Sequence, residues 1–427
     1  MSQSEARDTL IPSEAGTGGS RPSYREALAW LFKTQRFGIK LGLENSRRLF
    51  HALGVPSPNE RILHVAGTNG KGSVCALLDS ICRAAGYRTA LFTSPHLVTF
   101  RERIQVDGEM VSEEEVARGL TKIRELVADW EPHPTFFEIT TALALDHFRN
   151  KGADIVVLET GLGGRLDATN ATEAMVSILT PIDYDHQKWL GESLTEIATE
   201  KAGIIKPNTP VVSALQSSEA MAVIRAHAAA CSAPLDFVRQ PFDRFPIALA
   251  GTHQKKNAAL ALSALHTAGI AVNDASTARG LAEVDWPARF QHWDARTIID
   301  GAHNPGGARI LAETWREAFG DRRATILLAV LQDKDVAGIC AALKPIAQRF
   351  LLPSIRSERA LPAEELRLTI CDQLPDVPVA VQPTLAAAWE EAQRDTAPIL
   401  ICGSLHFAGE ALAFLRGEPA AFEECEQ

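Results

Sequence analysis

Seven residues, Gly67-Thr68-Asn69-Gly70-Lys71-Gly72-Ser73, constrain the fold of this chain more than any other stretch. They follow a short apolar run, Arg61–Ala66, that reads as a strand, and they open a helical pattern from Lys71 to Ala85. A glycine-rich turn between a strand and a helix is a building block of parallel α/β sheets. Three glycines let the backbone wrap closely and point N–H groups inward, and the helix amino terminus adds partial positive charge. Lys71 is placed to reach the outer phosphates of a nucleotide, and Ser73 to touch a Mg²⁺ ion. A Gly-rich turn without a ligand is the plainer reading; the lysine and serine favour nucleotide binding. The spacing departs from the commonest phosphate loop, because Gly72 stands between the lysine and the hydroxyl.

The rest of the chain continues the alternation. Ser112 with Glu115 forms a capping box for a helix running to Trp130, and Phe136–Asn150 reads as another helix. Asp154–Glu159 and Met175–Thr180 read as strands, the first apolar throughout from Ile155 to Leu158, as expected where helices cover both faces of a parallel sheet. Ser193 with Glu196 caps a short helix carrying Lys201. After a polar segment between Ala288 and Thr297, strands are expected at Thr297–Asp300, Ala324–Val330, Phe350–Ile355, Val377–Val381 and Pro398–Cys402. The expected fold is α/β: a P-loop-containing doubly wound sheet domain over 23–293, then a smaller doubly wound α/β domain over 294–427. Residues 1–22, rich in Ser, Gly, Thr and Glu, read as a disordered leader.

Composition narrows the function classes. Lys and Arg total 43 against 53 Asp and Glu, a net charge of −10, which argues against a broad grip on nucleic acid but not against a local anion pocket. Seven scattered cysteines without a C-x-x-C pair argue against a disulfide framework or a structural zinc site and suit a reducing cytoplasm. No apolar run reaches the ~18–20 residues of a membrane span.

Several residues carry chemistry by position. Glu159 ends an apolar strand, where doubly wound sheets collect ligands; it reads equally as a Mg²⁺ ligand or as a helix-capping carboxylate. His186 alone reads as a structural or solvated histidine, and Lys201 as a solvated cation at a helix end. Asn257 fits a helix cap and Arg289 a surface ion pair, whereas Asp300, at a strand end, fits a ligand site. Phe136 and Phe137 fit either core or a stacking surface for a flat ring.

The variant loop spacing resembles that of the ATP-dependent amide-forming Mur ligase superfamily. Further motifs occur in the order of its folylpolyglutamate synthase/dihydrofolate synthase branch: Phe37–Leu43, Ser94-Pro95-His96-Leu97, Phe137-Glu138, Leu158–Asn170, Glu200–Ile204 and Asp300-Gly301-Ala302-His303-Asn304-Pro305. The resemblance spans about Tyr24 to Leu415. It implies ATP held by Gly67–Ser73, Asn257, Arg289 and Asp300, and two Mg²⁺ ions on Ser73, Ser94, Glu159, His186 and a carbamylated Lys201. It implies a monovalent-cation place as well. Pterin or folate contacts are implied for Lys40, Leu41, Gly42, Leu43, Phe136, Phe137, Glu138, Leu166, Asp167 and Ala168, and glutamate contacts for Arg289, His303 and Ser404. Lys71, Lys201, Asp300 and His303 are the implied catalytic set.

The implied reaction is glutamate addition to dihydropteroate and to reduced folates through an acyl phosphate, carried out by a cytoplasmic monomer acting on small molecules, with no nucleic acid or membrane partner. A monofunctional folylpolyglutamate synthase is the nearest alternative. A Mur-type peptide ligase and a non-ligase P-loop NTPase module are remoter ones. One departure is visible: Ala288 stands where the family usually has glycine, next to Arg289.

Overall fold

A computed structural model describes residues 22–37 and 42–423 of the chain. Lys40, Leu41, Cys425 and residues 1–21 of the expected leader therefore lie outside the described residues.

Two sheets organise the molecule. The first contains β1 (Arg61–Ala66), β2 (Thr89–Phe92), β3 (Ile104–Val106), β4 (Glu109–Met110), β5 (Ile155–Glu159), β6 (Val176–Leu179), β7 (Val211–Ala214) and β8 (Leu235–Val238), ordered 4-3-2-5-1-6-7-8. Strands β2, β5, β1, β6, β7 and β8 are mutually parallel, and the β3–β4 hairpin adds antiparallel to the β2 edge. The second contains β9 (Gln291–His292), β10 (Thr297–Ile299), β11 (Ala324–Leu328), β12 (Ala347–Pro353), β13 (Val379–Gln382) and β14 (Ile399–Cys402), ordered 13-12-11-14-10-9. Only β9 runs antiparallel in it.

Both sheets are covered on both faces, which explains their continuous apolar strands. In the first, Ile62, Val156 and Leu158 point to one layer with Leu145 and Phe148 of the helix Phe136–Lys151. Their neighbours Leu63, Val65, Ile155 and Val157 point the other way, onto Leu77 and Ile81 of the helix Lys71–Ala84. In the second, Ile326 and Leu328 face Trp315 and Ile339, while Leu327 faces Ala388 and Phe407. The expected Ser112–Glu115 and Ser193–Glu196 capping boxes both form, and a third, Thr135–Glu138, opens the helix Phe136–Lys151. The helix from Glu113 ends at Leu126, short of the expected Trp130, which is bound to the Val127 carbonyl in a following turn.

The order of the first sheet places β1 between β5 and β6, so the chain diverges at the carboxyl end of β1. That is where a doubly wound sheet opens a crevice, and the Gly67–Ser73 loop sits there. Gly67 is required by close approach, because a Cβ at its φ of 148° would overlap Thr180 at the end of β6. Gly72 is required by the indole of Trp286, whose Nε1 would lie 2.8 Å from an added Cβ.

Trp286 belongs to the connection between the sheets, where Ala288 (φ 55°) and Phe290 (φ 47°) adopt left-handed conformations on either side of Arg289. Ala288 is fully buried, and its carbonyl accepts the Gly301 N–H at 2.9 Å. Glycine would relieve roughly 1–2 kcal/mol of left-handed strain there. It would forfeit about 0.5–1 kcal/mol through backbone entropy and about 0.8 kcal/mol of methyl burial. Ala288→Gly is therefore expected to shift unfolding free energy by less than about 1 kcal/mol, and Ala288→Val, β-branched at positive φ, to lose about 2 kcal/mol or more, as read by urea denaturation.

Candidate active site

The phosphate loop is held from below. The N–H groups of Thr68 and Asn69 donate to the Pro181 carbonyl (3.0 and 3.1 Å), and Thr68 Oγ1 exchanges hydrogen bonds with the Asp183 backbone at 3.0 Å each way. The first N–H groups of the helix Lys71–Ala84 have no intrahelical partner, so they present an anion-binding end. Lys71 folds over the loop, with Nζ 3.3 and 3.4 Å from the Gly67 and Thr68 carbonyls. Ser73 is buried and accepts from Gln254 at 3.4 Å; Gln254 in turn accepts from Asn257 at 2.9 Å, and Asn257 lies against Gly70. Asn257, six residues into its helix, is thus a buried contact of the loop rather than a cap.

Lys201 shares the same carbonyl. It is 5% exposed, and its Nζ donates to Gly67 O at 2.8 Å. Burial and then the charge of Lys71 lower its pKa to about 7. At the end of β5, Glu159 is buried and its Oε2 accepts the Ser94 N–H at 3.1 Å. Burial pushes this carboxyl above its ordinary range, against the pull of Lys71 and the Ser94 N–H. A cation beside it would offset that desolvation, and the Glu159 carboxylate and the Ser94 and Ser73 hydroxyls are the hard oxygens that Mg²⁺ takes. The residues present fit the ion.

The second domain meets the loop through a polar joint. Asp185, its side chain 8% exposed, accepts from Lys334 Nζ at 2.7 Å and Asn304 Nδ2 at 3.2 Å, with His303 Nε2 at 3.4 Å. Burial alone would raise the Asp185 pKa; His303, His186 and Lys334 hold it well below the usual carboxylate range instead. His303 Nδ1 donates to the Gly301 carbonyl at 2.8 Å, which turns Nε2 toward Asp185. His186 sits in a left-handed conformation (φ 51°) with its side chain 40% exposed; partial desolvation, with the charges of Lys334, His303 and Lys71, holds its pKa below the ordinary histidine value and favours a neutral imidazole of the kind that ligates metals. Asp300 accepts the N–H groups of Phe290 (2.7 Å) and Ala302 (2.8 Å) and faces the charge of Arg289.

Matches to known proteins agree with this geometry. The Mur ligase middle domain matches residues 65–229, and the Mur ligase glutamate ligase domain matches residues 288–405. The dihydrofolate synthase/folylpolyglutamate synthase of Bacillus subtilis (strain 168) is 34% identical over 423 residues, covering 91% of this chain and 98% of that protein. The chain belongs to the dihydrofolate synthase/folylpolyglutamate synthase family of Mur ligases. The E. coli member solved in complex with DHPP and ADP superposes with a TM-score of 0.85 at 31% identity, over 93% of this chain and 99% of that one. The Yersinia pestis bifunctional enzyme solved with AMPPNP and Mn ion gives 0.83 at 30% identity, over 94% of this chain and 100% of that one.

As a member of this family, the chain shows different surroundings for the implied substrate residues. Phe137 lies edge-on to the Gly161 backbone, 5.8 Å from the Phe92 ring, near the loop Gly161–Asp167. Phe136 is buried instead, stacked on Phe32 at 5.8 Å. Glu138 closes its own capping box (2.8 Å to the Thr135 N–H) and is 3.5 Å from Ser46 Oγ. Asp167 accepts the N–H groups of Gly161 and Leu162, both at 2.9 Å, and that of Thr169 at 3.0 Å. Ser404 caps the helix Leu405–Leu415, accepting the Phe407 N–H at 3.0 Å. Leu43 and Ala168 are buried, and Gly42 and Leu166 are partly exposed.

Sequence reasoning did not single out Asp185, Asn304, Lys334 or Trp286. Adjacency to His186 and membership of the Asp300–Pro305 motif were the available signals for the first two.

The Lys201 pKa has a thermodynamic consequence. Between about pH 7 and the ordinary value of 10.5, the unfolded chain holds a proton on this lysine that the folded chain lacks, so stability rises with pH across that window. Without metal or CO₂, the wild type should gain in urea midpoint over Lys201→Met from pH 7 to pH 9; a constant or shrinking difference would contradict the burial argument.

Proposed function

We propose that this chain is an ATP-dependent ligase that joins L-glutamate in amide linkage to dihydropteroate and to the glutamate tail of reduced folates. The observation that carries this reading is one crevice into which the first domain puts a phosphate loop, Glu159 and the low-pKa Lys201, while the second puts Asp300 and His303. The DHPP and ADP bound by the E. coli relative support an acceptor and a nucleotide used together.

The residues divide the work. Loop N–H groups and Lys71 bind the ATP phosphates, and Asn257, Arg289 and Asp300 hold the rest of the nucleotide. Ser73, Ser94 and Glu159 would hold one Mg²⁺, and His186 with Lys201 as its carbamate a second; the bound ions would spread the charge that builds on the transferred phosphoryl group. Lys201 suits carbamylation because a buried amine with a pKa of about 7 is substantially neutral at physiological pH and free to add CO₂. Leu43, Phe137, Leu166 and Ala168 would line the acceptor site, joined by Lys40, Leu41, Gly42, Phe136, Glu138 and Asp167 through the family resemblance. An acceptor carboxylate takes the γ-phosphoryl group, and the glutamate amine, placed by Arg289, His303 and Ser404, displaces phosphate from the acyl phosphate. Closure of the second domain excludes water from that intermediate.

On this reading residues 23–293 form the ATP- and pterin-binding unit and 294–427 the glutamate-ligase unit of a cytoplasmic monomer that also takes a monovalent cation.

Incubation with ATP, Mg²⁺, L-glutamate and either dihydropteroate or tetrahydrofolate is expected to give glutamate-dependent ADP release with each acceptor. Release with tetrahydrofolate alone would reduce the protein to a monofunctional folylpolyglutamate synthase, and release with neither would end the ligase reading. Lys201→Ala should lose about 100-fold or more in kcat, with partial recovery in a short carboxylic acid that replaces the carbamate. No recovery at any concentration would argue against carbamylation.

A further inference from the structure

Asn304 immediately precedes the helix Pro305–Phe319 of the second domain and uses both ends of one amide. Its Oδ1 accepts the Gly307 N–H at 2.7 Å and so caps the helix. That bond decides the orientation of the amide and turns Nδ2 toward the first domain. There Nδ2 donates to Asn69 Oδ1 at 3.1 Å and to Asp185 Oδ2 at 3.2 Å, accounting for both of its hydrogens. The side chain is 3% exposed, so water does not compete for these bonds.

The two acceptors belong to different parts of the site. Asn69 is in the phosphate loop, pinned by its N–H to Pro181, while Asp185 precedes His186 and is held by Lys334 from the second domain. A cap needs only the oxygen, and serine, threonine or aspartate would supply one. The nitrogen serves nothing in its own helix.

We propose that Asn304 is a positioning residue that couples the second domain to the phosphate loop, its amide nitrogen holding Asn69 and Asp185 in the register needed for transfer. The proposal rests on the ligase reading for its catalytic consequence and on geometry alone for the coupling. The second domain delivers Asp300 and His303 in productive alignment only when the loop is seated, because the cap of Pro305–Phe319 hydrogen-bonds the loop at Asn69.

Asn304→Ser separates the two roles: its hydroxyl preserves the cap, and it lacks the amide nitrogen. The variant is expected to keep Tm within about 2 °C of the wild type and affinity for AMPPNP–Mg²⁺ within about threefold. Its kcat for glutamate-dependent ADP release should fall about tenfold, and the phosphate-loop amides 67–73 should exchange hydrogen about tenfold faster in the AMPPNP–Mg²⁺ complex. Asn69→Ala removes the same contact from the other side. The double variant should be no slower than the slower single one within about threefold, the mark of a shared interaction.

Wild-type exchange and wild-type kcat in Asn304→Ser would leave the residue a helix cap only and overturn the proposal, as would losses that multiply in the double variant. Should Asn304→Ser fail to fold, Asn69→Ala reads the same contact through loop exchange. If the wild type binds AMPPNP–Mg²⁺ but releases no ADP with either acceptor, the ligase reading fails, while the exchange measurement still decides the coupling.

Discussion

The phosphate-loop backbone passes so close to Thr180 that only glycine fits at position 67, and much of the site is measured from that contact. The Gly67 carbonyl, fixed by it, receives both Lys71 and Lys201. Two lysines sharing one carbonyl cannot both be buried with full charge cheaply. The fold leaves Lys71 at the mouth and buries Lys201, whose proton affinity drops accordingly. A change in the β1–β6 spacing would disturb both lysines, because the turn that sets their common acceptor spans those strands.

Charge is handled differently at the domain joint. Asp185 accepts the N–H of its neighbour His186, but its partners Lys334, Asn304 and His303 come from the second domain and meet it only when the two sheets are docked. Separating the domains would leave Lys334, only 6% exposed through its side chain, with Asp333 at 3.3 Å and water in place of Asp185. The pair is better seen as a registration device than as a source of stability, since docking must desolvate both ions before it recovers their attraction.

What the sequence made legible was the part written in local chemistry. The glycine loop, the apolar β5 ending in Glu159 and two capping boxes follow from neighbours in the chain, and all form. The strands β2, β3, β4, β7, β8 and β9, two to four residues each, were not read from the sequence, because so few residues carry no period that rises above the surrounding loops. Asp185 and Lys334 were hidden for another reason: each is an ordinary surface-type residue until a distant segment buries it. The multiple local bonds of Asp167, Glu138 and Ser404 were equally invisible, since a motif names a residue without saying which of its atoms the backbone already occupies.

Trp286 against Gly72 ties the history of two distant positions together. A lineage that acquired a side chain after the loop lysine would have to shrink the aromatic at 286 in the same step or lose the packing of its interdomain connection. The extra glycine that sets this loop apart from the commonest spacing is therefore sterically coupled to a tryptophan from the far end of the domain. Grafting the loop alone into another scaffold would carry over only half of the unit.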